Sequence, residues 1–331
     1  MKVIRVAVDA MGGDHAPGVA VEGCVAAAKR LSDVQVMLFG PENTLAPLVG
    51  QADAPANLSV HHAPQVIDMA ESPAAAVKGK PDSSICRGLG AVAHGHADAF
   101  ISAGNTGACM AGSLFILGRI SGISRPAILG VYPTIKGRCM LLDAGSNMDC
   151  KPEHLLQFAH MGSVYSERVL KVESPTVGLV NVGEEPGKGN EQTKAAFELI
   201  KGSSLNFVGN IEGREVMAHA ADVVVCDGFV GNVMLKLGES IATVLPRMLA
   251  EEMTRHGMSQ DEQRTAAGAL SLLARRFDYE EYGGVPLLGV KGSVILGHGG
   301  SKAKAFENMV LVAVEAARQD VPGSISASLA S

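Results

Sequence analysis

The chain has 331 residues, a formal net charge of −6, six cysteines and no tryptophan. That balance argues against a nucleic-acid surface, which needs basic patches and stacking aromatics. Hydrophobic residues make up 47% and charged residues 19%, enough for one large core or two moderate ones, and no apolar run reaches the ~20 residues of a membrane span.

The run Val3 to Val8 reads as a buried strand ending in Asp9, followed by Gly12, Gly13, Asp14, His15 and Pro17. The run is too short for a signal peptide. Glycines let backbone N–H groups face a ligand without an intervening Cβ, and a proline suits a helix's first turn. A strand, a glycine turn with polar groups and a helix is how an α/β protein builds a ligand site at the carboxyl edge of its sheet. A helix follows over 17–31, then strands over 34–39 and 58–61, and Ser83 stands where it can cap a helix running to His94.

The same pattern recurs along the chain. A strand ends at Ser102 before Gly104-Asn105-Thr106-Gly107, which opens a helix of small residues extending to Ile120. Another ends at Asp143 before Gly145-Ser146-Asn147, with a helix from Pro152 to Val169. The stretch 176–191 carries an acid- and glycine-rich loop with Lys188 and Asn190; 206–214 and 221–232 follow, the latter holding Asp227 and Asn232. The last, 294–301, opens a helix to Arg318, and the tail 321–331 reads as frayed. Strands alternating with helices predict a mostly parallel sheet covered on both faces, in a single domain over 1–331. Residues 233–276 differ: their long helical period predicts a hairpin inserted in that domain and standing off the sheet, with its turn over 253–263. The hairpin's apolar stripe, including Leu237, Ile241, Leu245 and Leu249, reads either as core or as a surface for a partner or a membrane. None of the cysteines forms a C-x-x-C pair, and several lie in apolar runs, so reduced thiols in a cytoplasmic protein are expected.

These stretches, in this order, resemble the bacterial phosphate acyltransferases of phospholipid synthesis. The matching segments are Asp9-Ala10-Met11-Gly12-Gly13-Asp14, Ser102 through Ala108, Leu142-Asp143-Ala144-Gly145, Asn147 through His154, Gly189-Asn190-Glu191, Phe207 through Arg214 and Asp227 through Asn232. Gly283-Gly284, Pro286 through Gly289 and the His298-Gly299 turn complete the set, so the likeness covers about residues 3–315. The resemblance implies a three-layer α/β/α sandwich related to isocitrate dehydrogenases and phosphotransacetylases, a homodimer, and no metal or organic cofactor. It implies transfer of a fatty acyl group from acyl carrier protein to inorganic phosphate.

Such a site must hold a small dianion beside a thioester and stabilise an oxyanion. Asn105 and Thr106, then Ser146 and Asn147, are candidate phosphate donors or helix caps, and Gly12, Gly13 and Asn190 belong to the same turns. Lys188 could neutralise phosphate or the oxyanion, or balance Glu184 and Glu185; Asn232 could donate to the carbonyl oxygen or cap its helix; His15 could bind phosphate or take its proton, or serve the turn. Asp9, Asp143 and Asp227 at strand ends, with Asn210 beside them in the matching stretches, read as supports that orient other groups, because bare carboxylates would repel a dianion; a divalent-metal site is the other reading of the aspartates. Cys109 and the pairs His61-His62 and His94/His96 read as packing and surface residues. A Rossmann oxidoreductase is disfavoured, since the first turn lacks G-x-G-x-x-G. A short-chain phosphotransacylase using acyl-coenzyme A and a non-catalytic carrier-docking module remain as alternatives. For carrier or membrane contact through 233–276, Arg247, Arg255, Arg264, Arg275 and Arg276 are the candidate contacts.

Overall fold

A computed structural model describes residues 2–329. In chain order the first half holds β1 (Ile4–Asp9), α1 (Gly18–Arg30), β2 (Val34–Gly40), α2 (Glu42–Gln51), β3 (Leu58–His62), α3 (Pro73–Gly79), α4 (Ser84–Ala93), β4 (Ala99–Ser102), α5 (Thr106–Gly112), β5 (Ala127–Ile128), β6 (Gly130–Thr134), β7 (Gly137–Leu142) and α6 (Pro152–Arg168). The second half adds β8 (Thr176–Asn181), α7 (Glu191–Lys201), β9 (Asn206–Glu212), α8 (Gly213–Met217), β10 (Val223–Val225), α9 (Gly228–Arg255), α10 (Gln260–Arg275), α11 (Tyr279–Tyr282), β11 (Val285–Leu288), β12 (Ser293–Leu296), α12 (Ala303–Arg318) and α13 (Val321–Ser328).

The architecture is α/β, with helices on both faces of mostly parallel strands. The strands divide into a seven-stranded sheet, β3-β2-β1-β4-β12-β11-β5, and a five-stranded sheet, β6-β7-β10-β8-β9. Each has a parallel centre, and the antiparallel pairings lie at one side: β11 with β12 and β5 in the first, β6 with β7 in the second. Sequence periodicity predicts one sheet because it does not show the strands that join the two. Only Leu129 separates β5 from β6, so the chain passes from one sheet into the other with no turn signal. Pro133 and Pro286 interrupt the strand pattern, and proline is tolerated only where a ladder N–H is not needed.

The central strands are buried on both faces, which is why they read as unbroken apolar runs. Val6, Val8, Leu38 and Ile101 join α1 and α12 on one side of the large sheet, whereas Ala7, Phe100 and Val294 join α4 and α5 on the other. The small sheet is covered in the same way, by α6 and α7 on one side and by α8 with the start of α9 on the other. Helices α1 and α12 approach very closely: a Cβ at Gly23 would stand 2.1 Å from the Ala303 carbonyl oxygen.

Three further sequence expectations are revised. The 321–331 tail is not frayed over its described part: α13 begins at an Asp320 cap and buries Val321 and Ile325 against α6, while residues 330–331 lie outside the described residues. The hairpin turn is 256–259 rather than 253–263, because Met253 is buried and helical and Ser259 caps α10 through Glu262. The helix opening at Thr106 changes to π geometry at Ser113–Leu117 and ends before Gly118, whose φ is +77°.

The base of β1 is tied by a carboxylate. Asp98 accepts the Arg5 amide at 2.9 Å, the Arg5 guanidinium at 3.1 Å and Lys2 Nζ at 2.8 Å. Burial opposes ionisation of this group, but the hydrogen bonds from Arg5 and Lys2 prevail and hold its pKa at about 2. The stabilisation is therefore present in full above the unfolded pKa of about 3.9 and is lost as pH falls through the folded value. Asp98→Asn should lower unfolding free energy by about 1–2 kcal/mol at neutral pH, with the difference from the parent chain closing below about pH 3; urea unfolding at several pH values checks both.

Candidate active site

The carboxyl edge of the large sheet is built from interlocked turns. Asp9 is almost fully buried, accepting Ser102 Oγ at 2.6 Å and the Met11 amide at 3.2 Å. Burial pushes its pKa up, against the hydrogen bonds from Ser102 and neighbouring groups. A Cβ at Gly12 would meet Asp9 Oδ2 at 2.4 Å and Gly104 N at 2.6 Å, so only glycine lets the turns after β1 and β4 come together. Gly13 takes φ +104°, and the Asp14 amide donates to the Gly299 carbonyl at 2.8 Å. Three loops, after β1, β4 and β12, thus meet at one place.

The facing edge of the small sheet is organised by Asp143, which is fully buried. Its carboxylate accepts the backbone amides of Ile128 (3.1 Å), Ser146 (3.1 Å) and Asn147 (2.6 Å), the Ser146 hydroxyl (2.7 Å) and Asn147 Nδ2 (2.9 Å). A buried carboxylate surrounded by donors can fix a tight turn. Asp227 caps α9 by accepting the Val230 amide at 2.8 Å, and the Gly228 amide donates to the Asn147 carbonyl at 2.7 Å. Helix α9 is packed so closely on this turn that a Cβ at Gly231 would lie 1.9 Å from the Asp143 carbonyl oxygen.

Between the two edges lies a cleft of about 520 Å³. Asp14, Thr106 and the 297–299 turn line it from the large sheet, and Gly145 and Asn232 from the small one. Its walls are apolar: Ile128, Val131, Tyr132, Leu235, Val285 and Leu296. Asn232 lies directly over Gly145, where an added Cβ would be 3.4 Å from the asparagine Cβ. Leu235, Lys236 and Glu239 continue the same helical face, with Lys236 Nζ 2.8 Å from Glu239 Oε2.

Of the sequence candidates Thr106 and Asn232 line the cleft; Gly12 and Gly13 lie behind it, packed on Gly104 and Gly299, and the others make supporting contacts. Asn105 accepts the Ala108 amide at 3.0 Å while its Nδ2 donates to the carbonyls of Asp68, Met69 and Glu71, so its amide group is committed to the loop before α3. Ser146 and Asn147 are bound to Asp143, and Asn147 Nδ2 also donates to the Pro126 carbonyl at 2.8 Å. Asn190 caps α7 through the Thr193 amide, and Asn210 donates to the Glu185 carbonyl at 3.0 Å. Lys188 is exposed on the loop after β8, 4.0 Å from Glu185 Oε1, and does not line the cleft. His15 is exposed, and Asp14 rather than His15 faces the cleft. Among the described residues no three His, Cys, Asp or Glu side chains gather as a metal site. Cys109 is buried and its thiol is pushed up to about 12 by burial. Lys236, Glu239 and His298 were not singled out by sequence reasoning for the site; the spacing Asn232, Leu235, Lys236, Glu239 is the helical signal that places the first two on the Asn232 face. Arg276 is a structural tie, donating to the Thr134 and Gly137 carbonyls, and Arg275 pairs with Glu281.

Residues 4–324 match a sequence family described as fatty acid synthesis protein. A phosphate acyltransferase of Salinibacter ruber is 52% identical over 325 residues, covering 97% of this chain and 96% of the relative. One from Heliobacterium modesticaldum is 48% identical over 324 residues, with 97% and 96% covered. The chain belongs to the bacterial phosphate acyltransferase family. Its fold is that of a phosphotransacetylase from Streptococcus pyogenes, with TM-score 0.62, 18% identity and 96% of each chain covered. The EutD phosphotransacetylase of Staphylococcus aureus shares it, with TM-score 0.60 and 15% identity over 95% of this chain and 94% of that one.

Removing the carboxylate at the centre of the site should undo its geometry. Asp143→Ala leaves the buried donors of residues 128, 146 and 147 without an acceptor and should cost about 3 kcal/mol or more of stability. Asp143→Asn, which keeps an acceptor oxygen, should lose less. Guanidinium unfolding of the two variants and the parent chain gives the order.

Proposed function

We propose that the chain moves a long-chain fatty acyl group from the thioester of acyl carrier protein to inorganic phosphate, giving acyl phosphate for phospholipid synthesis. The observation that carries this reading is a single cleft in which glycine turns and Asn232 meet a long apolar wall. Backbone N–H groups at glycine turns, with the Thr106 hydroxyl, suit a small oxyanion. The wall of Ile128, Val131, Leu235 and Val285 suits an acyl chain.

In the proposed reaction a phosphate oxygen forms a bond to the thioester carbonyl carbon and the carbon–sulfur bond breaks. The sulfur leaves as a thiolate and takes up a proton, so the products are acyl phosphate and the free carrier thiol. Phosphate is itself the nucleophile, so no covalent enzyme intermediate is needed. Asn232 donates to the carbonyl oxygen as charge develops there, and the exposed Lys188 ammonium, 4.0 Å from Glu185 Oε1, swings to the phosphate. His15, exposed outside the cleft on the turn that carries Gly12 and Gly13, must turn inward to meet the phosphate from the large-sheet side. Asp9, Asp143, Asn210 and Asp227 hold the loops.

The hairpin of α9 and α10 meets the carrier or the membrane surface. Support comes from its exposed apolar side chains, among them Val233, Leu237, Met248 and Leu272, and from the absence of any buried residue on α10. No helix among the described residues is long and apolar enough to cross a membrane. The working unit is a homodimer in the cytoplasm; six cysteines with free thiols support a reducing compartment.

The test is formation of acyl phosphate, trapped with hydroxylamine, from long-chain acyl carrier protein and phosphate, with acetyl-coenzyme A as the competing donor. The expected result is phosphate-dependent product from the carrier thioester, little from acetyl-coenzyme A, and a loss of about a hundredfold in kcat for Asn232→Ala and for Lys188→Ala. An intact carrier thioester, or preference for acetyl-coenzyme A, would overturn the reading.

A further inference from the structure

A second cavity, of about 330 Å³, is lined by Met110, Leu114, Arg119, Ser124, Arg125, Pro126, Ser146, Asn147 and Leu287. It backs onto the same turn as the cleft: Gly145 faces the cleft, and the next residues, Ser146 and Asn147, face this cavity. Among the described residues no carboxylate lines it. In a chain of net charge −6 the described acids pair with many of the lysines and arginines, yet neither Arg119 nor Arg125 has a carboxylate partner among the described residues.

The loop that carries the two arginines is fixed before any ligand arrives. Ile120 and Ile123 are buried, and the Ile120 amide donates to the Gly289 carbonyl at 3.0 Å. Gln157 holds the loop from α6, accepting the Ser124 amide at 2.9 Å and donating to the Gly122 carbonyl at 2.9 Å. Arg119 Nη1 donates to the Ser124 carbonyl at 2.6 Å, which sets the guanidinium while leaving its charge unmatched. Pro126, next to Arg125, is tied to the Asn147 amide at 2.8 Å. On the opposite wall the Ser146 hydroxyl and the Asn147 amide are turned inward onto Asp143. Recognition therefore falls to the guanidiniums, whose planar donor forks match tetrahedral oxyanions.

We propose that this cavity binds a phosphate group, held by Arg119 and Arg125, on the far side of the turn that forms the wall of the cleft. Two sources present that chemistry: inorganic phosphate itself, and the phosphodiester that joins a carrier protein to its thiol-bearing arm. The second source rests on the acyl-transfer reading above; the anion site does not. Because the bound group would lie against Ser146 and Asn147, occupancy would also steady the turn that positions Gly145 under Asn232.

The test uses the full chain, with Arg119→Ala/Arg125→Ala and Arg119→Lys/Arg125→Lys double variants, in calorimetric titrations that need no turnover. The probes are inorganic phosphate, and carrier protein with and without its phosphodiester arm. A loss of about tenfold or more in phosphate affinity in the alanine variant, partly restored by lysine, would assign the site to inorganic phosphate. Unchanged phosphate affinity, with loss of the parent chain's preference for the arm-bearing carrier, would assign it to the phosphodiester. Unchanged affinity for every probe would overturn the site. Failure of acyl transfer in the parent chain would overturn the acyl-transfer reading and leave the phosphate titration standing.

Discussion

Two sheets with different strand orders meet at one buried carboxylate, and most of the functional geometry follows from how Asp143 is satisfied. Its oxygens draw in the amide of Ile128 from the large sheet and the whole 145–147 turn from the small one. The Ala144 amide returns the connection, donating to the Ile128 carbonyl at 2.9 Å. A carboxyl group so deeply buried needs such a full set of hydrogen-bond partners. That requirement fixes the spacing between the sheets, the entry of α9 and the wall between the cleft and the arginine-lined cavity. Both carboxylate oxygens are occupied by donors of the protein itself, so what Asp143 sets is backbone placement.

Close approach is the second constraint. Gly12, Gly145 and Gly231 stand where a side chain would collide with a neighbouring turn or lie against Asn232. The Gly145 and Gly231 amides are spent on Asp143 and on the Asp227 carbonyl, so these glycines serve the close approach of the turns, and Lys236 is the cation that reaches the cleft between them. The same crowding leaves the apolar part of the cleft to the residues of β6, β11 and α9, at the root of the hairpin. Polar mouth and apolar wall are therefore products of one junction between sheets.

Much of this was legible in the sequence. The strands ending in Asp9, Asp143 and Asp227 announce themselves as apolar runs stopped by an acid, and Ser83, Asn105, Asn190 and Asp227 all cap helices as their residue types suggest. What stayed hidden was pairing. Nothing local in 127–134 says that adjacent short strands belong to different sheets, since strand partners are chosen by distant residues. The amides of Asn105 and Asn147 read as ligand donors because sequence does not show the carbonyls of residues 68, 69, 71 and 126 that occupy them. The tail read as loose because Val321 and Ile325 find their apolar partners on a helix some 160 residues earlier. Lys236 escaped notice because its place in the cleft depends on where α9 is docked.

Direct attack by phosphate on the thioester is the claim on which the proposed chemistry rests, and the buried, high-pKa thiol of Cys109 makes it a poor acyl acceptor. The most direct measurement is exchange between acyl carrier protein and isotopically labelled free carrier, with phosphate left out. Direct attack predicts that no label enters the acylated carrier until phosphate is added. Exchange without phosphate, at a rate matching turnover, would reveal an acyl-enzyme and contradict the account.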